Sequence, residues 1–139
     1  MGFSIELIQH QQFNLNFWDI GGQTSLRSFW FNYFDKTDFL VWVIDASCLF
    51  RLQESFQEFG KVLKEDRLTG CGLLVFVNKI ELFKGNQKEL VEQIVDLLGL
   101  NEVRNHAWNV VCCSAYTGAG LEEGLDWITE EYSKKYYIL

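Results

Sequence analysis

Apolar positions recur along the chain with two different periods, and the changes of period mark out its elements. Ser4 to Gln9 alternates Ile5 and Leu7 with polar neighbours, and Phe13, Leu15 and Phe17 alternate with Asn14, Asn16 and Trp18 up to Ile20. Period two belongs to half-buried strands, and the polar turn His10-Gln11-Gln12 between the two runs predicts a hairpin. After Gln23, the spacing of Leu26, Phe29, Trp30 and Tyr33 predicts a short helix. Phe39 to Ile44 is an unbroken apolar run ending at Asp45, as expected of a strand covered on both faces. Leu52, Phe56, Phe59 and Leu63 predict an amphipathic helix, and Gly72 to Val77, ending in Asn78, repeats the buried-strand pattern. Leu90, Val91, Ile94, Val95 and Leu98 predict a helix that begins at Asn86 and stops at Gly99. Trp108 to Cys113 reads as a third buried strand ending at Ser114-Ala115, and Leu121, Leu125, Ile128, Tyr132 and Tyr136 form the stripe of a closing helix.

Strands that alternate with helices of this length predict an α/β fold, a mainly parallel sheet with helices on both faces. Polar residues gather where the strands run out, the edge at which such sheets bind ligands. The sequence has no internal repeat, low-complexity segment or proline, so residues 1–139 are expected to form a single domain.

Composition narrows the function classes. The chain has 139 residues and a net charge of -7, which argues against non-specific binding to nucleic acid or anionic membranes. The apolar run from Phe39 to Ile44 is six residues long, against about 20 needed to span a bilayer. Cys48, Cys71, Cys112 and Cys113 show no C-x-x-C spacing, which points to a reducing, cytoplasmic setting without a zinc site. Met1-Gly2 fails the myristoylation pattern because position 6 is Glu6.

The densest candidate chemistry is Trp18-Asp-Ile-Gly-Gly-Gln23, where a strand gives way to a loop. Asp19 at such a strand end is placed to hold magnesium through water. Gly22 lets a bare backbone N–H approach a phosphate oxygen, and Gln23 is placed to orient an attacking water.

Three strand-end motifs follow in order: Asp19-Ile-Gly-Gly-Gln23, Asn78-Lys-Ile-Glu81 and Cys113-Ser-Ala115. Together they resemble the small GTPases, which have a P-loop NTPase-like fold. Trp18 to Gln23 resembles the ADP-ribosylation-factor group, and Ser25 to Trp30 followed by Asn32-Tyr33-Phe34 is similar to its factor-like subtype linked to tubulin-folding cofactors. The resemblance implies GTP or GDP with Mg2+ as cofactors, with Gln23 catalytic, Gly22 on the terminal phosphate and Asp19 on the magnesium through water. It implies that Asn78 orients the guanine loop, that the stem of Lys79 packs on the base, and that Ala115, with Ser114 beside it, offers an N–H to the guanine carbonyl. Phe3, Trp18 and Tyr33 match the aromatic triad through which that group contacts effectors, here tubulin-folding cofactors or prenyl-cargo carriers.

The sequence departs from the family pattern twice. Glu81 stands where the family has an Asp that reads guanine as a bidentate acceptor. The extra methylene moves the carboxylate by about 1.5 Å, which weakens guanine preference by ~1 to 3 kcal/mol. No G-x-x-x-x-G-K-[ST] occurs, and Gly118-Ala-Gly120 is followed by Leu121-Glu122 without a Lys. The resemblance begins just after the family's switch threonine. It thus implies a domain lacking its first strand, phosphate loop and first helix, by truncation rather than degeneration, since Gln23 and the other motif residues persist.

The function expected is an Arf-like switch that binds and hydrolyses GTP in its full-length form. The alternative is a non-hydrolysing module that binds partners without nucleotide. A third reading, an unrelated flavodoxin-like α/β domain, fits the periodicity but not the three ordered motifs. Without that first strand, the strands ending at Asp19 and Asp45 are expected to be left with two facing unpaired edges, with apolar surface uncovered around Leu125 and Ile128.

Overall fold

The computed structural model describes residues 3–20 and 37–136, with side chains for 5–18 and 37–135. The chain divides into two units, Met1–Thr37 and Asp38–Leu139. The predicted helix over Leu26 to Tyr33 lies outside the described residues.

The first unit carries the hairpin, β1 (Phe3–His10) and β2 (Phe13–Ile20), paired antiparallel from Phe3 opposite Ile20 to His10 opposite Phe13. Gln11 turns the chain with φ 56°, the left-handed region few non-glycine residues adopt. On β2 the alternation holds, with Phe13, Leu15 and Phe17 half-buried and Trp18 exposed. On β1 the expected apolar face is the exposed one. Ile5 lies opposite Trp18 and Leu7 opposite Asn16, so pairing puts them on the outer face, where Leu7 is 67% exposed. Ile8, opposite Leu15, stands on the other face and is less exposed, at 36%.

The second unit alternates β3 (Phe39–Asp45), α1 (Leu52–Leu63), β4 (Gly72–Asn78), α2 (Gln87–Leu98), β5 (Trp108–Cys112) and α3 (Leu121–Tyr136). Its strands form a parallel sheet in the order β3-β4-β5, with Phe39 opposite Gly72 and Leu73 opposite Trp108. As the central strand β4 is the most buried, with Leu73, Leu74, Val75 and Val77 almost wholly enclosed. Each such side chain contributes about 1.5–3 kcal/mol relative to leaving it in water. Leu74, Val111 and Ile128 pack together on one face with Phe39, Val41, Phe76 and Trp127 around them, under α3. Trp42, next to Val41 and so on the opposite face, meets Phe59 of α1 edge to face at 5.3 Å. The helices are bounded as their sequences predict. Asn86 Oδ1 accepts the Glu89 N–H at 3.1 Å at the start of α2, and Gly99 ends it at φ 66°.

Three expectations are corrected. The buried face of α1 is formed by Phe59 and Val62, with Ser55 turned to Trp42, while Phe56 is 46% exposed. Its pattern fits two overlapping stripes, and the hydrogen bond to the indole belongs to the one that faces the sheet. β3 is packed on both faces from Phe39 to Trp42 but not at Val43, which is 60% exposed, and it is the edge of its sheet among the described residues. Around the last helix, Ile128 is buried against Leu74 and Val111 and Leu125 is half-buried, so the expected apolar surface is not uncovered there, while Val43 on β3 is exposed.

Candidate guanine-recognition site

The parallel register brings the polar strand ends together, because Asp45 lies directly opposite Asn78. Backbone bonds continue past the strands: Ala46 N–H donates to Asn78 O at 2.8 Å, Cys113 N–H to Val77 O at 2.8 Å, and Ile80 N–H to Cys113 O at 3.1 Å. Three loops from three neighbouring strands are thus stitched into one rim.

The loop after β4 turns sharply at Lys79, whose φ of 62° is left-handed. A non-glycine residue there costs about 1–3 kcal/mol and persists only where its surroundings hold it. Leu82 N–H donates to Lys79 O at 2.9 Å, closing a 3-10 turn over Ile80–Leu82 that buries Ile80 and leaves Glu81 exposed. The loop after β5 is built by Ser114, which is fully buried. Its hydroxyl accepts the Thr117 N–H at 3.0 Å, and its N–H donates to Ala119 O at 2.9 Å.

Asn78 joins the two loops. Its Oδ1 accepts the Ala115 N–H at 3.0 Å, across 37 residues of sequence. That bond assigns the amide, so the Nδ2 hydrogens are the pair available to an outside acceptor. Lys79 Nζ forms an ion pair with Asp45 Oδ2 at 3.0 Å, and Asp45 Oδ1 accepts from Ser47 Oγ at 2.6 Å and Ser47 N at 2.8 Å. The Ser47 hydroxyl holds the Asp45 carboxyl below its ordinary range; burial opposes it, and the Ser47 N–H and Lys79 add smaller lowering effects. The hydrogen bond and charge of Asp45 raise Lys79 in turn. Cys113, beneath the rim, is buried and its thiol is pushed up to about 11, so it is no nucleophile.

Of the predicted guanine residues, Asn78, Lys79, Glu81, Ser114 and Ala115 all lie on this rim, but with divided roles. Ser114 serves its own loop through its side chain. The Ala115 N–H is already donated to Asn78, so a base carbonyl has to share that hydrogen in a three-centre bond or take it over. Asp45 and Ser47 were not among the predicted site residues. The signal for them was a buried strand ending in Asp beside one ending in Asn-Lys. Gly22, Gln23 and Tyr33 lie outside the described residues, and Asp19 and Phe3 are described only as strand positions. No group of His, Cys, Asp or Glu among the described residues is placed to hold a metal ion.

The rim offers amide donors from Asn78, a carboxylate from Glu81 and an N–H from Ala115. Guanine presents two acceptors, N7 and O6, on one edge and an amine donor on another. A rim with these donors and an acceptor complements a base edge of this kind.

A sequence model of the ADP-ribosylation factor family matches residues 1–132. The chain is 42% identical to ADP-ribosylation factor-like protein 2 of Arabidopsis thaliana and 40% identical to that of Dictyostelium discoideum, in each case over all 139 residues and 74% of the relative. It belongs to the ADP-ribosylation factor family. ADP-ribosylation factor-like protein 3 of Chlamydomonas reinhardtii is 42% identical over 94% of this chain and 72% of its own length. The small GTPase Arl6 (BBS3) of Trypanosoma brucei, solved with the nucleotide analogue GppNp, superposes with a TM-score of 0.81 at 26% identity, covering 96% of this chain and 81% of that one. This Arf-family chain thus has the small GTPase P-loop fold, with the parallel strands β3-β4-β5 as its sheet of three. Small GTPases of the family bind GTP or GDP with Mg2+, and act through effectors. No helix among the described residues is long and apolar enough to cross a membrane.

Proposed function

We propose that this chain carries the guanine-recognising end of an Arf-like molecular switch that, in full-length form, binds and hydrolyses GTP. The observation that carries this reading is the Asn78–Ala115 hydrogen bond, which fixes the two base-reading loops against each other. In this reading Asn78 Nδ2 donates to the base, Glu81 accepts from its amine edge, and the stem of Lys79 covers its face. Ala115 supplies the N–H nearest the carbonyl, while Ser114 keeps its loop in shape. Asp19 is assigned to magnesium through water, Gly22 to the terminal phosphate and Gln23 to the hydrolytic water. The hairpin and the three-stranded unit are taken as parts of one domain.

These 139 residues hold no G-x-x-x-x-G-K-[ST], so the phosphate cradle of the fold is not among them. Base contacts alone, at ~0.5–1.5 kcal/mol net for each hydrogen bond, give weak binding in which guanosine competes almost as well as GTP. Titration of a fluorescent GTP analogue with and without magnesium tests this, with guanosine and adenosine as competitors. Weak, magnesium-independent binding that guanosine displaces and adenosine does not is the expected result. Equal displacement by adenosine would remove the guanine assignment, and sub-micromolar magnesium-dependent binding would show that phosphate recognition survives without the loop.

A second reading concerns effectors, and the outer face of the hairpin favours it. Trp18 is 43% exposed opposite Ile5, with Leu7 exposed along the same face. Phe3 pairs with Ile20, two positions from the Ile5–Trp18 pair. A large aromatic amid exposed aliphatics is the kind of surface that anchors partners. We assign it, with Tyr33, to effectors such as tubulin-folding cofactors or prenyl-cargo carriers. Unchanged capture of such partners from cytosol by Trp18→Ala would exclude it.

A further inference from the structure

Lys79 is fixed on the rim in two ways, through its backbone and through its side chain. Its φ of 62° is left-handed, and its ammonium is drawn sideways along the rim to Asp45 on the neighbouring strand, at 3.0 Å. Asp45 is itself fixed: it lies opposite Asn78 in the ladder, and its second oxygen accepts both the hydroxyl and the N–H of Ser47. The carboxylate therefore presents one oriented oxygen to Lys79 and spends the other on its own loop. Of the acidic groups around Lys79, Asp45 makes the ion pair, while Glu81 acts only through its charge.

We propose that Asp45 is a positioning residue for base recognition: it tethers the Lys79 ammonium so that the four-carbon stem lies as a fixed wall beside the base. This rests on the guanine-site reading above. A lysine stem free to sample its rotamers loses entropy when a base packs on it, whereas a tethered stem has already lost it. The tether also assigns the charge of Lys79. With its ammonium on Asp45, Lys79 acts through its apolar stem and not as a cation for phosphate.

The test is a double-mutant cycle on the full 139-residue chain, using guanosine, which has a base but no phosphate, and the amide shifts of Asn78 and Ala115 in nitrogen-proton correlation spectra. Asp45→Asn keeps the shape of the residue and an acceptor for Ser47 but removes the charge. Lys79→Met keeps an unbranched stem and removes the ammonium. Each single change is expected to weaken guanosine binding about two- to fivefold, the range an exposed ion pair supports. The double variant is expected to be no weaker than either single, because both remove the same tether. If Asp45 merely supports the loop, its loss repeats in full in the Lys79→Met background. That result, or unchanged binding by Asp45→Asn, overturns the tether and leaves the guanine site standing. If the wild-type chain shows no saturable shift with guanosine, the guanine-site reading falls and takes the tether with it.

Discussion

Asn78 Oδ1 and the Ala115 N–H, 3.0 Å apart, are the point at which two separate loops become one surface. Asn78 is also bonded through its backbone carbonyl to Ala46, so the residue links all three strand ends. Asn78→Ala removes the side-chain link and keeps the backbone one. The expected outcome is a loss of stability of about 1 kcal/mol, the usual net value of one hydrogen bond, read from urea unfolding. Hydrogen exchange at the Ala115 amide should quicken, and guanosine-induced shifts should vanish. An Ala115 amide as protected as in the wild type would show that the loop stands without Asn78.

Two helical glycines should respond to alanine in opposite senses. A Cβ on Gly124 of α3 would overlap the Phe76 ring, with Leu74 also close, so the ring or the helix has to shift. Overpacking of this kind costs about 1–3 kcal/mol. A Cβ on Gly60 of α1 meets nothing within 4 Å. Gly60→Ala should stabilise by about 0.5–1 kcal/mol through helix propensity. Melting temperatures of the two variants, one below and one above the wild type, are the check.

The Asp45 carboxyl sits below its ordinary value, chiefly because the Ser47 hydroxyl donates to it. A depressed carboxyl stabilises the fold above its unfolded value of about 4, and that contribution is lost as pH falls through the lower folded value. Ser47→Ala removes the largest cause, so the carboxyl should titrate closer to the ordinary range, and part of the stability present at neutral pH should be lost. Carbon-detected titration of the Asp45 side chain reads the first effect directly. No movement on Ser47→Ala would assign the depression to the backbone N–H of position 47 and to Lys79 instead.

Much of this architecture was legible because the strands and helices change period cleanly. The bounds of β3 and β4, the Asn86 cap and the Gly99 stop all follow from local chemistry. What could not be read depended on which of two possible faces is used. Phe56 and Ser55 are neighbours on α1, and only the partner Trp42, 13 residues before Ser55, decides which of them turns inward. Ile5 and Leu7 alternate as a buried face should, yet the hairpin register puts them opposite Trp18 and Asn16. Asp45 and Lys79 are far apart in sequence, and their pairing is set by strand order, which periodicity does not carry.

The edge position of β3 has a measurable cost. Among the described residues no strand lies on its outer side, and that side, with the 60% exposed Val43, offers a template for a strand from another copy. The chain should therefore associate as its concentration rises, and Val43→Lys, a charge on an edge strand, should suppress this with little loss of stability. Sedimentation velocity across a concentration series distinguishes the two. Identical, purely monomeric profiles for wild type and variant would exclude edge pairing.

Glu81 and Tyr116, in the loops after β4 and β5, are exposed at the rim, and Lys79 beside them is half exposed, while the core beneath is closed by Leu74, Val75 and Val77 of β4. Substitution at those three positions takes almost nothing from the core. Nucleobase preference can then drift, or be redirected by selection from a library at 81 and 116, at little risk to folding, whereas the left-handed φ of 62° at Lys79 limits the side chains tolerated there. In a Glu81 background this makes inosine, xanthosine and guanosine natural choices for such a selection, because these purines differ at the edge a carboxylate reads.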